Sequence, residues 1–418
     1  MADIILPILN FVGGTWFLWL PISLFYILRD TWLLYVRAFS IQNTKWILLE
    51  IRVPREVAKS PKAMESIFAG IHATAKGGNL IDRYWKGVFS PWFSLEIVGD
   101  AGGVHFYIWT PSFYKKMIEA QVYAQYPSSE VKEVEDYTKN FPKVLPNQEF
   151  DLWGTEFVHT KADAYPIRTY EEDFNIEKVS PKEEETKIDP LSSLVEFLGG
   201  LNEGENIWIQ MIMRPSGDEW KKEGQELAAK LAGREPKVKE SFITQVVFGI
   251  GGLLSSGAPA PEKKETAMPK IASLTPGEKD VLTAVEKNIS KIGFDMGIRW
   301  LYMARRSSYN PLAIPAVMGV FKQYASPSLN SFRPNKMVTT SINYFLKKTL
   351  ETKRKIRIYN AYKLRSFFHP PYAKRSQKIV LSSSELATIY HFPGMVAGAP
   401  GFARVEAKKG APPTNLPM

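Results

Sequence analysis

The run WILLEIRV, Trp46–Val53, is apolar and rich in β-branched residues, and it stops at Pro54. That pattern reads as a strand. Ser60-Pro61 then offers an N-cap and a proline for the first helical position. Met64, Ile67, Phe68 and Ile71 recur at three- and four-residue spacing, which marks one face of a helix. Phe93–Val98 and Val104–Thr110 flank the glycine-rich turn Gly99–Gly103 and read as a hairpin. Pro111-Ser112 opens a second helix with Phe113, Met117 and Ala120 inward, and Val131–Tyr137 closes as a strand. The order β-α-β-β-α-β is that of a ferredoxin-like, split βαβ unit, expected over residues 44–140.

Outward from this unit the pattern recurs. Tyr165–Tyr170 reads as a strand, and Pro190–Leu201 as a helix with Leu191, Leu194, Val195 and Leu198 on one side. Ile207–Met213 (IWIQMIM) and Gly297–Met303 (GIRWLYM) read as strong strands, and a helix follows from Asn310-Pro311 to Tyr324. A second ferredoxin-like unit is therefore expected over 150–335, with an insertion at about 217–290. The insertion holds a charged helix at Asp218–Leu231, an uncharged apolar stretch at Phe242–Leu254, a loop rich in Ala, Pro and Lys at Ser255–Lys270, and a helix at Pro276–Ile289 capped by Thr275. Phe242–Leu254 is too short to span a bilayer alone. Its flanks are polar, so it reads as a surface-associating helix or a buried hairpin helix of the insertion.

Upstream, Ile4–Leu28 carries no charge over 25 residues. As a helix it would run about 37 Å, enough for a hydrocarbon core of about 30 Å with some tilt. Trp16, Trp19, Tyr26 and Trp32 suit the interfacial layers, and Pro21 is tolerated as a kink. A cleaved signal peptide would have a basic leader and a shorter apolar run. Arg29, Arg37, Lys45 and Arg52 follow the run, so residues 1–40 are expected to be a single-pass anchor in the cell membrane with the C-terminal bulk in the cytoplasm. Trp32–Phe39 is expected to continue this helix along the interface.

The chain has 418 residues, 45% apolar and 23% charged, with a net charge of +10. That is enough for two or three domains with proper cores, and the basic excess favours an anionic partner. There is no cysteine, which removes disulfides, thiolate metal sites and a cysteine nucleophile. The five histidines, His72, His105, His159, His369 and His391, form no local metal motif. Gly252–Gly257 has the glycine spacing of a phosphate-binding loop, but Ala258-Pro259 stand where the lysine and hydroxyl belong. Glu133 and Glu135 read as a solvated strand face, and Glu171–Asp173 with Glu183–Glu185 as a solvated linker. No catalytic constellation, metal site or cofactor is expected, and the chain reads as no enzyme.

Residues 340–418 are expected to form a basic helix, much of Ile342–Phe367, followed by an extended tail. Lys347–Lys378 holds eleven Lys and Arg against Glu351 alone, interleaved with Tyr359, Tyr362, Phe367, Phe368 and Tyr372. Lys347, Lys348, Lys353, Arg354, Lys355, Arg357, Lys363 and Arg365 are the candidate anion or nucleic-acid contacts. Basic residues among aromatics suit a phosphate backbone with stacked bases. They suit an anionic membrane surface as well, and a solvated helix packing its aromatics on the body.

Several strings form a set: LEIRVPRE (Leu49–Glu56), SPKAMESIFAGIH (Ser60–His72), PWFSLEIV (Pro91–Val98), VHFYIWTP (Val104–Pro111), EAQVYAQYPSSEVKEVEDY (Glu119–Tyr137), ELATIYHFPG (Glu385–Gly394) and EAKKGAPPTNLPM (Glu406–Met418). Together they resemble the N-terminal, membrane-anchored, non-ATPase region of type IV secretion or conjugative DNA-transfer family proteins of candidate-phylum bacteria. In those proteins a HerA/FtsK-like ATPase domain follows the PPTNLP string. The resemblance implies a non-enzymatic component that recruits or assembles with a separate P-loop ATPase. The alternative is a membrane-tethered nucleic-acid-binding protein that acts without one. Expected partners are thus the membrane, a P-loop ATPase, nucleic acid and further copies of the chain.

Overall fold

A computed structural model describes residues 13–54, 59–75, 79–172, 174, 189–233, 274–342 and 347–393. In chain order the helices are α1 (Trp16–Asn43), α2 (Lys62–His72), α3 (Leu80–Tyr84), α4 (Lys115–Gln125), α5 (Ser192–Gly199), α6 (Glu219–Leu231), α7 (Pro276–Ser290), α8 (Ala313–Lys322), α9 (Lys347–Lys363) and α10 (Ser383–Ile389). The strands are β1 (Trp46–Arg52), β2 (Phe93–Asp100), β3 (Gly103–Pro111), β4 (Glu130–Val134), β5 (Phe150–His159), β6 (Glu205–Pro215), β7 (Gly293–Arg305), β8 (Phe332–Pro334) and β9 (Ile379–Ser382). The protein is an α+β fold built on one antiparallel nine-stranded sheet, preceded by the long apolar helix α1.

The strand order β4-β1-β3-β2-β6-β7-β5-β8 is the same pattern written twice. The first half places its fourth, first, third and second strands side by side. The second half repeats that order in reverse, so β2 and β6 meet at the seam. There Phe93–Gly99 pair with Met213–Ile207. β9 joins the sheet beside β7, where Gly293–Met296 pair with Ser382–Ile379.

Period-two alternation gives the sheet two covered faces. Ile47, Leu49 and Ile51 of β1 join Leu95, Ile97, Phe106, Ile108, Ile209 and Ile298 in the main core. Helices α2, α4, α5, α8 and α10 contribute Phe68, Ile118, Val195, Val317 and Leu386 to the same core. The opposite phase, Leu48, Val98, Trp208 and Leu301, packs on Ile358, Tyr359 and Tyr362 of α9. In the insertion, α6 and α7 pack on one another, and Thr275 caps α7 in a reciprocal capping box with Glu278.

Several expectations are corrected. Tyr165–Tyr170 is not a strand. Pro166 has no N–H to give a ladder, and the N–H groups of Ile167 and Tyr170 are taken by Glu385 and Thr388 of α10. The first strand of that half is β5, whose DLWGTEFVH sequence hides the alternation because both its faces are covered. Phe113 is 62% exposed and Ala120 is also exposed. A 3-10 turn over Ser112–Tyr114 delays α4 and brings Ile118 and Val122 inward instead. The last strand of the first half ends at Val134, and Tyr137 opens a 3-10 turn. Where an extended tail was expected, Ile379–Ile389 forms β9 and the wholly buried α10. The expected continuation of the N-terminal helix through Trp32–Phe39 is present: one helix runs from Trp16 to Asn43, through Pro21. Residues 4–12, the stretches Phe242–Leu254 and Ser255–Lys270, and the tail from Gly394 onward lie outside the described residues.

Candidate functional site

The basic segment resolves into three groups. Lys347, Lys348 and Lys353 are exposed on α9. Arg354 donates to the carbonyls of Lys336 and Thr339 at 3.0 and 2.7 Å. Lys355 pairs with Asp151 at 2.6 Å, and Arg357 donates to the carbonyl of Tyr372 with its guanidinium 5.9 Å from that ring. Lys363 is half-buried, 5.1 Å from the Tyr359 ring. Even Glu351 is engaged at home, accepting from the Ile342 N–H. Several of the candidate contacts on this helix thus have partners on the body. Carbonyls accept from Arg354 and Arg357, and Asp151 pairs with Lys355.

Arg365 is the clearest correction, because it is 1% exposed and cannot touch an external anion. Its Nε and Nη2 reach Glu96 of β2 at 3.0 and 3.1 Å, and its Nη1 and Nη2 reach Asp136. Glu96 also accepts from Ser94, Gln210 and Tyr137, and Tyr137 bonds Tyr362 of α9. Burial pulls the Arg365 pKa down, but Glu96, Tyr137 and Asp136 more than offset that and hold it above its ordinary value. Burial likewise raises the Tyr137 and Tyr362 hydroxyls, reinforced by Glu96, so both stay protonated donors.

This knot belongs to a polar row that crosses the sheet. Glu50, Tyr107, Glu96, Gln210, Arg299 and Glu156 stand opposite one another on β1, β3, β2, β6, β7 and β5. Directly opposed residues share a face, and this is the face that α9 and the following segment cover. At its far end Arg299 lies 3.4 Å from Glu156 and donates to the Ser366 carbonyl at 2.7 Å. Burial lowers the Arg299 pKa and raises that of Glu156, the signature of a pair too deep to be well solvated. The signal available in the sequence was a lone Glu, Gln or Arg inside an otherwise apolar strand, as in PWFSLEIV, IWIQMIM and GIRWLYM.

Next to the row, at the foot of α1, lies a cavity of about 250 Å³. Its walls come from Ala38, Ile41 and Gln42 of α1, from Trp92, and from Leu364–Pro371. Trp46 stacks on Trp109 at 3.9 Å, and Trp92 lies 4.7 Å from Trp46 and 5.1 Å from the His369 ring. Burial, with Arg214 and Arg37 nearby, pushes the His369 pKa down to about 4, so the ring is neutral at pH 7. Trp92 Nε1 and His369 Nε2 are buried with no hydrogen-bond partner. His391, the other aromatic-context histidine, is a core group held by the Ala387 carbonyl and Asp189. Among the described residues no group of three His, Asp or Glu is placed to hold a metal ion. Chemically, the arrangement ties the C-terminal segment to the sheet and presents an aromatic hollow where α1 meets the body.

The chain belongs to the family described as a domain of unknown function, DUF8128, which matches residues 36–400. No curated protein matches it. The matched span opens at Val36, the buried residue of α1. It takes in the hollow, the polar row and α9, while the exposed apolar turns of α1 precede it.

Proposed function

We propose that this chain is a membrane-anchored, non-enzymatic component of a type IV secretion-like machine that transfers DNA or protein. α1 is its tether, and its two ferredoxin-like halves, fused at the β2–β6 seam, form the platform that recruits or assembles with a separate P-loop ATPase. The observation that carries the reading is how α1 meets the body. The helix is 28 residues long, and none of its 18-residue apolar window is buried. Yet its C-terminal half touches the body: Val36 is buried, Trp32 Nε1 donates to the Tyr84 carbonyl at 2.7 Å, and β1 starts three residues after the helix ends. A segment meant for removal has no reason to carry such contacts, so they favour a retained anchor over a signal sequence. Arg29, Arg37, Lys45 and Arg52 after the apolar turns favour a cytoplasmic body. The transfer role itself rests on the family resemblance of the quoted strings.

The test is affinity purification of the full chain from native membranes. Co-purification of a P-loop ATPase is expected, together with an intact N-terminus by mass spectrometry. A mature chain lacking residues 1–43 would overturn the anchor. An intact chain that brings down nucleic acid and no ATPase would replace this reading with a tethered nucleic-acid binder, which the exposed Lys347, Lys348 and Lys353 favour.

A further inference from the structure

The short helix α3 faces the wrong way for a soluble body. Asn79 and Asp82 close a full capping box around it, and Lys86 pairs with Asp82 at 2.9 Å. Five residues cannot hold a helix in water by propensity alone, so the caps and the packing must fix it. What they fix is a set of large apolar side chains pointing outward: Leu80 is 74% exposed, Ile81 59% and Trp85 70%. Ile81 and Trp85 are four residues apart and so share a face. Single exposed apolar residues are ordinary, but a contiguous patch marks a contact surface.

The patch is continuous with the exposed surface of α1. Trp85 meets Trp32 edge to face at 5.8 Å, and Trp32 leads on to Tyr35, 64% exposed, and Phe39, 58% exposed. The two elements are locked together at Gly87. Its φ of +61° suits glycine, and a Cβ there would lie 2.4 Å from the Val36 carbonyl oxygen. Height along α1 completes the argument. The uncharged run ends at Leu28, and Trp32 is four residues further, about 6 Å at 1.5 Å per residue. The interfacial layer on each side of a bilayer is roughly 5–8 Å deep. α3 therefore hangs beside the anchor at headgroup level.

We propose that α3 is a second membrane contact, whose Leu80, Ile81 and Trp85 seat in the boundary between lipid headgroups and acyl chains and hold the body in a fixed orientation against the bilayer. The partner is the lipid surface itself. Trp belongs at that level, and an interfacial helix buries its apolar side roughly 5–10 Å deep. The inference rests on the anchoring role of α1 proposed above.

The chain contains no cysteine, so single reporters can be placed in the full-length protein. Ile81→Cys, Leu24→Cys and Leu312→Cys would each carry an environment-sensitive fluorophore, in vesicles of phosphatidylethanolamine and phosphatidylglycerol with or without 5-doxyl lipid. Leu24 reports the anchor. Leu312 lies past the Arg305 end of β7, a strand roughly 40 Å long whose other end adjoins the hollow under α1. Label at Ile81 is expected to shift to the blue and to be quenched about twofold by the shallow doxyl group, as a residue seated at the interface would be. Label at Leu312 should be unaffected. If Leu24 is quenched and Ile81 behaves like Leu312, the α3 contact is wrong and the anchor stands. If Leu24 is not quenched, the anchoring reading itself falls.

Discussion

Arg365 has φ +47°, a left-handed conformation that a side chain with a Cβ rarely adopts. It ends α9 in a Schellman-type cap, with its N–H on the Tyr362 carbonyl and the Ser366 N–H on the Ala361 carbonyl, where glycine is the usual residue. The backbone strain costs about 1–2 kcal/mol. It is offset because only this turn carries the guanidinium down to Glu96 and Asp136. Arg365→Leu would keep the strain and leave Glu96, which is wholly buried, without its cation. The expected loss is on the order of 3–5 kcal/mol, the range for breaking one side of a buried pair. Arg365→Gly should lose less by up to about 1–2 kcal/mol, since it relieves the strained turn. Denaturant unfolding of the full chain in detergent reads both. A loss below about 1 kcal/mol for the leucine variant would mean that the knot does not hold the structure. Nothing in the local sequence KLRSFF separates Arg365 from the exposed lysines earlier on α9, because its partners lie 229 and 269 residues away.

Elements were legible where one face of a helix or a plain apolar strand carries the signal. Met64, Ile67, Phe68 and Ile71 mark α2 and are all buried, as are Leu194, Val195 and Leu198 of α5. The signal failed where tertiary context supplies the partner. β5 is covered on both faces, and the Pro166 segment gives its N–H groups to side chains of α10. The candidate site was hidden for the same reason, since its row exists only once six strands are in register. The segment after α9 shows how closely its elements are fitted. A Cβ on Gly297 of β7 would lie 2.4 Å from the ring of Phe367, which is 4% exposed and 5.4 Å from the Arg299 guanidinium. Gly297→Ala must displace that ring and with it a wall of the hollow. The expected cost is about 1–3 kcal/mol, typical of overpacking, and unfolding at matched detergent concentration measures it. Wild-type stability in this variant would show that the Phe367 segment is only loosely laid on the sheet.

At the scale of the whole molecule, the net charge of +10 suggests a large anionic partner, but the structure uses much of the basic helix internally. Arg354, Lys355 and Arg357 have partners on the body, and Arg365 is buried. Replacing Lys353, Arg354, Lys355 and Arg357 together would therefore damage the fold as well as any binding surface. The candidate contacts left exposed on α9 are Lys347, Lys348 and Lys353. If these meet single-stranded DNA, each phosphate contact adds roughly 0.7 to the slope of log affinity against log salt, so three give a slope near −2. The triple change to Gln should flatten the slope by about that amount while unfolding shifts by no more than about 0.5 kcal/mol, as for solvated positions. Lys355→Gln should do the reverse, lowering stability while leaving the slope unchanged, because its charge is already spent on Asp151. Binding to DNA and to anionic vesicles at two salt concentrations separates the two anions, since only the one that meets the lysines shows the change in slope. A wild-type chain that binds neither, or a triple variant that binds as before, would leave α9 as a strap across the seam of the sheet, with Tyr359, Tyr362 and Arg354 holding it down and its exposed lysines serving only solubility.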